Sequence, residues 1–315
     1  MVVTVTTSRL SKWMKPCNPN IEELTLEQIN EELRALRSTL MEWKQRVANI
    51  VPESINNRTT HPFSQARQRC RQAALEKQYV VTPNIRFLRV QSLMMKVINS
   101  FDVDVMVNYG RREDMDVDKQ LKKDAIISRK SKMYKSNISD TTMWKMYERM
   151  YHTIDVYHGN YGVDRAPDGK YDKQEEYALS GILAEVLFGM LMVKEGGSMI
   201  IKTYTFFTPE TRLLLGMLRA HFDIEFTRTE YAKYTNSERF VICTNYRNVI
   251  TYKQAIHLWK TPVYSEFPLR EAYLVEEEYT GMQIKALQII SEILNLYKNK
   301  ALDDTMRNYY MKICL

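Results

Sequence analysis

Residues 171–244 read YDKQEEYALSGILAEVLFGMLMVKEGGSMIIKTYTFFTPETRLLLGMLRAHFDIEFTRTEYAKYTNSERFVICT, and this stretch decides the fold class. Leu179, Ile182, Leu183, Val186, Leu187, Met190 and Leu191 recur on one broad helical face. Gly196-Gly197 then stands where the glycine that ends a helix belongs, and SMIIKTY supplies the strand that should follow. Thr208 caps a second helix with Pro209 at its first position, and Leu213, Leu214, Met217 and Leu218 give it a core face. FDIEFTR and ERFVICT read as two further strands that can pair as a hairpin. Helix, strand, helix, strand and strand in that order predict the last part of an α/β sheet.

Working outward, the apolar run DVDVMV before Asn108 and the run beginning IDVYHG at Ile154 supply earlier strands. Towards the N-terminus, Leu26, Ile29, Leu33, Leu36 and Leu40 predict a helix over Thr25 to Val47, with Thr25 as its cap. Beyond Pro268, Ile284, Leu287, Ile290, Leu294 and Tyr297 mark a C-terminal helix, packed either on the chain's own core or on a partner. The expected organisation is a helical, partly basic extension over 1–84, an α/β core over 85–250 and a helical segment over 251–315.

The 315 residues are 44% hydrophobic and 26% charged, enough to bury a substantial core. No apolar run approaches the length of a membrane span, so the expected setting is soluble and cytoplasmic, with no membrane partner. Four scattered cysteines without a CxxC pair argue against a zinc site and suit a reducing compartment. Only 10 glycines are present, and no GxxxxGKS or GxGxxG loop occurs, which argues against the usual nucleotide cradles. The net charge of +7 leans towards polyanionic partners. The excess is concentrated in two places. Arg58, Arg67, Arg69 and Arg71 lie in a stretch without acids, and Lys122, Lys123, Arg129 and Lys130 belong to a second basic run. Each is either a solvated face or a surface for RNA phosphates.

Two residues in the deciding stretch invite chemistry. Lys202 interrupts an apolar strand, where it either faces solvent or lies at a site. Glu238 follows Asn236-Ser237 at the head of another apolar strand, where it either caps the strand or joins that site.

Taken in order, KQEE (Lys173–Glu176), GGSMIIKTY from Gly196, FTPETRLLL from Phe207 and TNSERFVIC from Thr235 resemble the FtsJ-class ribose 2′-O-methyltransferases. The likeness is strongest to viral and eukaryotic members that methylate mRNA caps. The resemblance implies a Rossmann-like S-adenosylmethionine methyltransferase fold and a Lys-Asp-Lys-Glu tetrad. Within that tetrad Lys202 is the general base and Glu238 the glutamate, with Lys96 as the first lysine. The aspartate position aligns with Asn160, which can hydrogen-bond a lysine but brings no negative charge; Asp155 and Asp164 are the carboxylates nearby. The cofactor turn falls on Asn108, Tyr109 and Gly110, a loop poorer in glycine than the family's.

Methylating a ribose hydroxyl requires a base to take its proton, and a lysine serves when neighbouring charges tune its pKa. The sequence supports two functions. One is an active cap 2′-O-methyltransferase using S-adenosylmethionine. The other is a degenerate, RNA-binding pseudoenzyme that binds no cofactor and assists a catalytic capping or methyltransferase subunit. The chain also resembles the small subunit of poxvirus mRNA capping enzymes, which implies viral origin and a place in the cytoplasm, a virion or a viral factory. The missing aspartate and the glycine-poor turn tilt the sequence reading towards the degenerate subunit.

Overall fold

Strands that must be buried on both faces lose the alternation of half-exposed ones, and that is the pattern of IDVYHG and GSMIIKT, where every residue is buried. The computed structural model describes residues 21–50, 106–109, 138–161, 173–228, 235–261 and 263–298. Among these residues, β1 (Met106–Tyr109), β2 (Ile154–Gly159), β3 (Val193–Thr203), β4 (Asp223–Thr227) and β5 (Arg239–Thr244) form one sheet in the order β1-β2-β3-β5-β4. The first three strands run parallel, while β5 is antiparallel to both β3 and β4. The architecture is mixed α/β with a mixed sheet, and the expected hairpin is the β4–β5 pair.

The described helices are α1 (Leu26–Ile50), α2 (Thr141–Lys145), α3 (Gln174–Met192), α4 (Pro209–His221), α5 (Tyr252–Lys260) and α6 (Leu269–Lys298). The chain divides into two compact units. The sheet, α2 to α5 and the first turn of α6 belong to one; α1, residues 235–237 and the rest of α6 belong to the other.

In the sheet unit, α3 connects β2 to β3. From Ala184 to Met192 it is buried all round, where the spacing predicted a single broad apolar face. The sheet accounts for one side of the helix, and α5 packs against it as well. Phe188 lies 5.6 to 6.4 Å from the rings of Trp144, Tyr147 and Tyr157. Burying each such ring contributes about 2 kcal/mol.

The double glycine does not end this helix. α3 stops at Met192, and β3 starts directly at Val193, so Gly196-Gly197 lies inside the strand. Val193 pairs with Ile154 and Ser198 with Val156, so three extra residues bulge out of β3. Gly196 adopts φ 76°, which glycine tolerates without penalty. Its N–H and the Gly197 carbonyl then bond Tyr246, beyond β5, at 2.8 and 3.0 Å.

At the end of α4, His221 is buried, with Nδ1 2.9 Å from the Asn248 carbonyl and Nε2 2.9 Å from the Tyr264 hydroxyl. A nitrogen facing a carbonyl must carry the proton, so Nε2 accepts from Tyr264. Burial holds the His221 pKa below the ordinary imidazole value, against the pull of the Arg247 and Asn248 carbonyls. The unfolded chain therefore binds the proton more readily, and stability present above about pH 6.5 is lost as pH falls towards the folded-state value. Urea unfolding should give lower stability at pH 5.5 than at 7.5, with a smaller difference in His221→Gln.

In the helical unit, Thr25 and Gln28 form a reciprocal cap for α1, and Ile29, Leu33 and Leu40 are buried. Leu26 is 62% exposed, so the predicted stripe begins one turn later. Leu287 and Ile290 of α6 are buried within the chain itself; the Leu294 and Tyr297 side chains lie outside the described residues. Gln283 accepts from the Ser237 hydroxyl at 3.2 Å and donates to the Thr235 carbonyl at 2.9 Å, and Lys44 donates to the same hydroxyl at 3.1 Å. The residues just ahead of Glu238 are thus tied to α1 and α6.

Candidate active site

Strand register gathers the singled-out residues along one edge of the sheet. Tyr109 pairs with Gly159, Gly159 with Ile201, and Thr203 with Arg239. The carboxyl ends of β1, β2 and β3 therefore finish in one row with the beginning of antiparallel β5. In open α/β sheets that edge is where ligands bind. Asn108 and Tyr109 lie on β1 itself and not in the turn after it; Gly110 lies outside the described residues. Asn160 follows β2, Lys202 is the next-to-last residue of β3, and Glu238 immediately precedes β5. Lys202 sits opposite Phe240, and Glu238 is two residues from Phe240 on the strand side nearer this edge.

Lys202 and Glu238 are each 7% exposed, so neither is a solvated surface charge. A buried ammonium requires partners. Lys202 Nζ donates to the main-chain carbonyl of Asn160 at 3.2 Å, a bond that any side chain at position 160 would permit.

A carboxyl group from α3 reaches the residues that follow β2. Glu185 of α3 is 1% exposed, and its two oxygens accept from the Tyr161 N–H at 3.0 and 3.1 Å. Burial raises the Glu185 pKa, while the Tyr161 N–H, the charge of Lys202 and the Asn160 N–H pull it back down. Gly159 makes room for it: a Cβ there would come within 2.5 Å of Glu185 Cδ. The sequence did carry a signal, since Glu185 is the one charged residue between Gly181 and Met192.

Asp155 cannot take that place. It lies near the start of β2 and pairs with Lys194, at the opposite end of β3 from Lys202. Gly159 lies four positions further along the strand, roughly 13 Å away.

The segment after Lys202 is fixed from two sides. Glu175, from the KQEE motif, accepts from Thr205 Oγ1 at 2.6 Å, Phe207 N at 3.3 Å, and Thr208 N and Oγ1 at 2.9 Å each. Arg212 donates to the carbonyls of Phe206 and Phe207 at 3.4 and 2.9 Å and pairs with Glu266. Thr208 meanwhile caps α4, accepting from Thr211 N. Cys243 is buried, which pushes its thiol pKa up and leaves it without nucleophilic character. Lys96, Asp164, and the basic residues Arg58, Arg67, Arg69, Arg71, Lys122, Lys123, Arg129 and Lys130 lie outside the described residues.

No protein-family profile matches the chain. Over 168 residues, 51% of its length, it is 27% identical to the protein described as Probable methyltransferase EP424R from the Warthog/Namibia isolate of African swine fever virus. It is 28% identical over the same extent to the corresponding protein of the Badajoz strain. The matched region spans 38% of the length of each of these relatives. This distant, partial similarity supports a methyltransferase relationship, with a viral protein as the relative.

Proposed function

We propose that the chain is a methyltransferase acting on a ribose 2′-hydroxyl of RNA, of the mRNA cap-methylating type, with Lys202 as general base. The observation that carries this reading is the setting of Lys202: buried, at the carboxyl end of β3, bonded to the Asn160 carbonyl and close enough to Glu185 for attraction. The sequence tilted towards a degenerate subunit because position 160 lacks a carboxylate and the turn after β1 is poor in glycine; Glu185 answers the first of these by bringing a carboxyl to the peptide that Lys202 bonds.

The carboxyl end of β1 beside that of β2 suits an adenosine cofactor, with Asn108, Tyr109 and Gly110 as the residues that would hold it. S-adenosylmethionine supplies an electrophilic sulfonium methyl when bound. Lys202 takes the hydroxyl proton, Glu238 lends negative charge at the same edge, and the Glu175 and Arg212 contacts keep the following segment from shifting the lysine. Lys96, outside the described residues, stands as the first lysine only through the resemblance to the FtsJ class. The arginines from Arg58 to Arg71 and the run from Lys122 to Lys130 hold RNA through its phosphates.

Titration calorimetry with S-adenosylmethionine and its demethylated product, followed by methyl transfer to capped RNA, tests the reading. Saturable binding and label on the 2′-oxygen are expected. Absence of both from folded protein would return the chain to the second reading, a regulatory partner of a capping enzyme, which Asn160 in the aspartate position favours.

A further inference from the structure

The peptide between Asn160 and Tyr161 has an ionisable group at each end. Its carbonyl accepts from the Lys202 ammonium at 3.2 Å, and its N–H donates to the Glu185 carboxyl at 3.0 Å. A peptide dipole has its negative end at oxygen and its positive end at hydrogen, so both contacts polarise it in the same sense. We infer that Glu185 is the positioning residue of Lys202, acting through the Asn160–Tyr161 peptide to fix the amine and set how tightly it keeps its proton. The catalytic meaning of this role rests on the proposed methyl transfer; the pairing itself does not.

Three features single out Glu185 for the role. It projects from the middle of a helix segment that is otherwise apolar and buried, where a carboxyl without a purpose would be costly. Gly159 leaves open the volume that the carboxyl fills. The main-chain N–H groups of Asn160 and Tyr161 both point at it. Among the described residues Glu238, ahead of β5, lies at the same edge as the pair, and Tyr204 lies with its ring 6.0 Å from the Lys202 amine. Burial disfavours an isolated carboxylate here, so when Lys202 gives up its proton Glu185 is driven to take one. The pair can thus pass from doubly charged to doubly neutral without stranding a buried charge.

The test reads Lys202 directly. Carbon-13 at lysine Cε, with the Lys202 signal identified by its loss in Lys202→Arg, gives the amine midpoint by NMR without any assay of activity. Glu185→Gln removes the negative charge, and the midpoint should fall by about one pH unit. Gly159→Ala keeps the carboxyl but displaces it, because the three atoms nearest the new Cβ all belong to the Glu185 side chain, and should give a smaller fall. It also carries the test should Glu185→Gln fail to fold. In the active enzyme the pH profile of kcat/KM should move by the same amount, and Glu185→Asp should recover part of the shift. An unmoved Lys202 midpoint in the folded variants overturns the inference, even with methyl transfer intact. A moved midpoint in a protein that transfers no methyl group upholds the pairing and defeats the functional reading.

Discussion

If the proposed function holds, Lys202→Met should lower methyl transfer to capped RNA by about a thousandfold, within the range that a positioned general base contributes. The methionine matches the lysine stem in length and is no burden in a site that is 7% exposed, so folding should survive. The Glu185 carboxyl left behind can accept a proton. Lys202→Arg sharpens the test, because a guanidinium keeps the positive charge yet does not deprotonate near neutral pH. If Lys202 served only as a fixed charge, Arg would restore much of the rate. Both variants should bind S-adenosylmethionine as the parent does, and single-turnover transfer with labelled cofactor measures the rate. Activity in Lys202→Met within tenfold of the parent would remove Lys202 from the base role.

The largest stability effect should come from Glu175→Ala. One buried carboxylate there satisfies two main-chain N–H groups and two hydroxyls between Thr205 and Thr208. Removing it strands those donors, and the expected loss is about 3 kcal/mol, since hydrogen bonds to a charged group are worth more than neutral ones and the stranded partners stay buried. Glu175→Gln should lose less, because its amide keeps one acceptor while turning an N–H towards donors. Urea unfolding followed by circular dichroism measures both. A loss under about 0.5 kcal/mol would mean that Arg212 and the Thr208 cap hold this segment unaided. On the proposed function, the folded fraction of either variant should also transfer methyl groups more slowly, because the clamped segment begins three residues after Lys202.

The motif order links these two predictions, for the residues that resemble a methyltransferase divide between chemistry and scaffold. In KQEE, Glu175 is a clamp; in FTPETRLLL, Thr208 and Arg212 are a cap and a brace. A motif read as one functional signature is, at the level of contacts, largely the means of fixing the segment from Thr205 to Thr208.

Local information was enough for several of the elements. Periodicity, the Thr25 and Thr208 caps and Pro209 placed α1, α4 and the later strands within a few residues, because caps and helical spacing act over one or two turns. The double glycine misled for a local reason as well: a glycine with φ of 76° serves a helix end or a strand bulge equally, and only pairing with β2 decides between them. Lys202 and Glu238 were visible because a charge in an apolar strand breaks a pattern. The carboxylate beside Lys202 was not visible, although Glu185 broke its own pattern in the same way. It comes from a helix 17 residues before Lys202 in the chain and 25 after Asn160. Electrostatic attraction depends on distance in space, and the packing of α3 against the ends of β2 and β3, with Gly159 leaving room, is what brings that charge to the lysine.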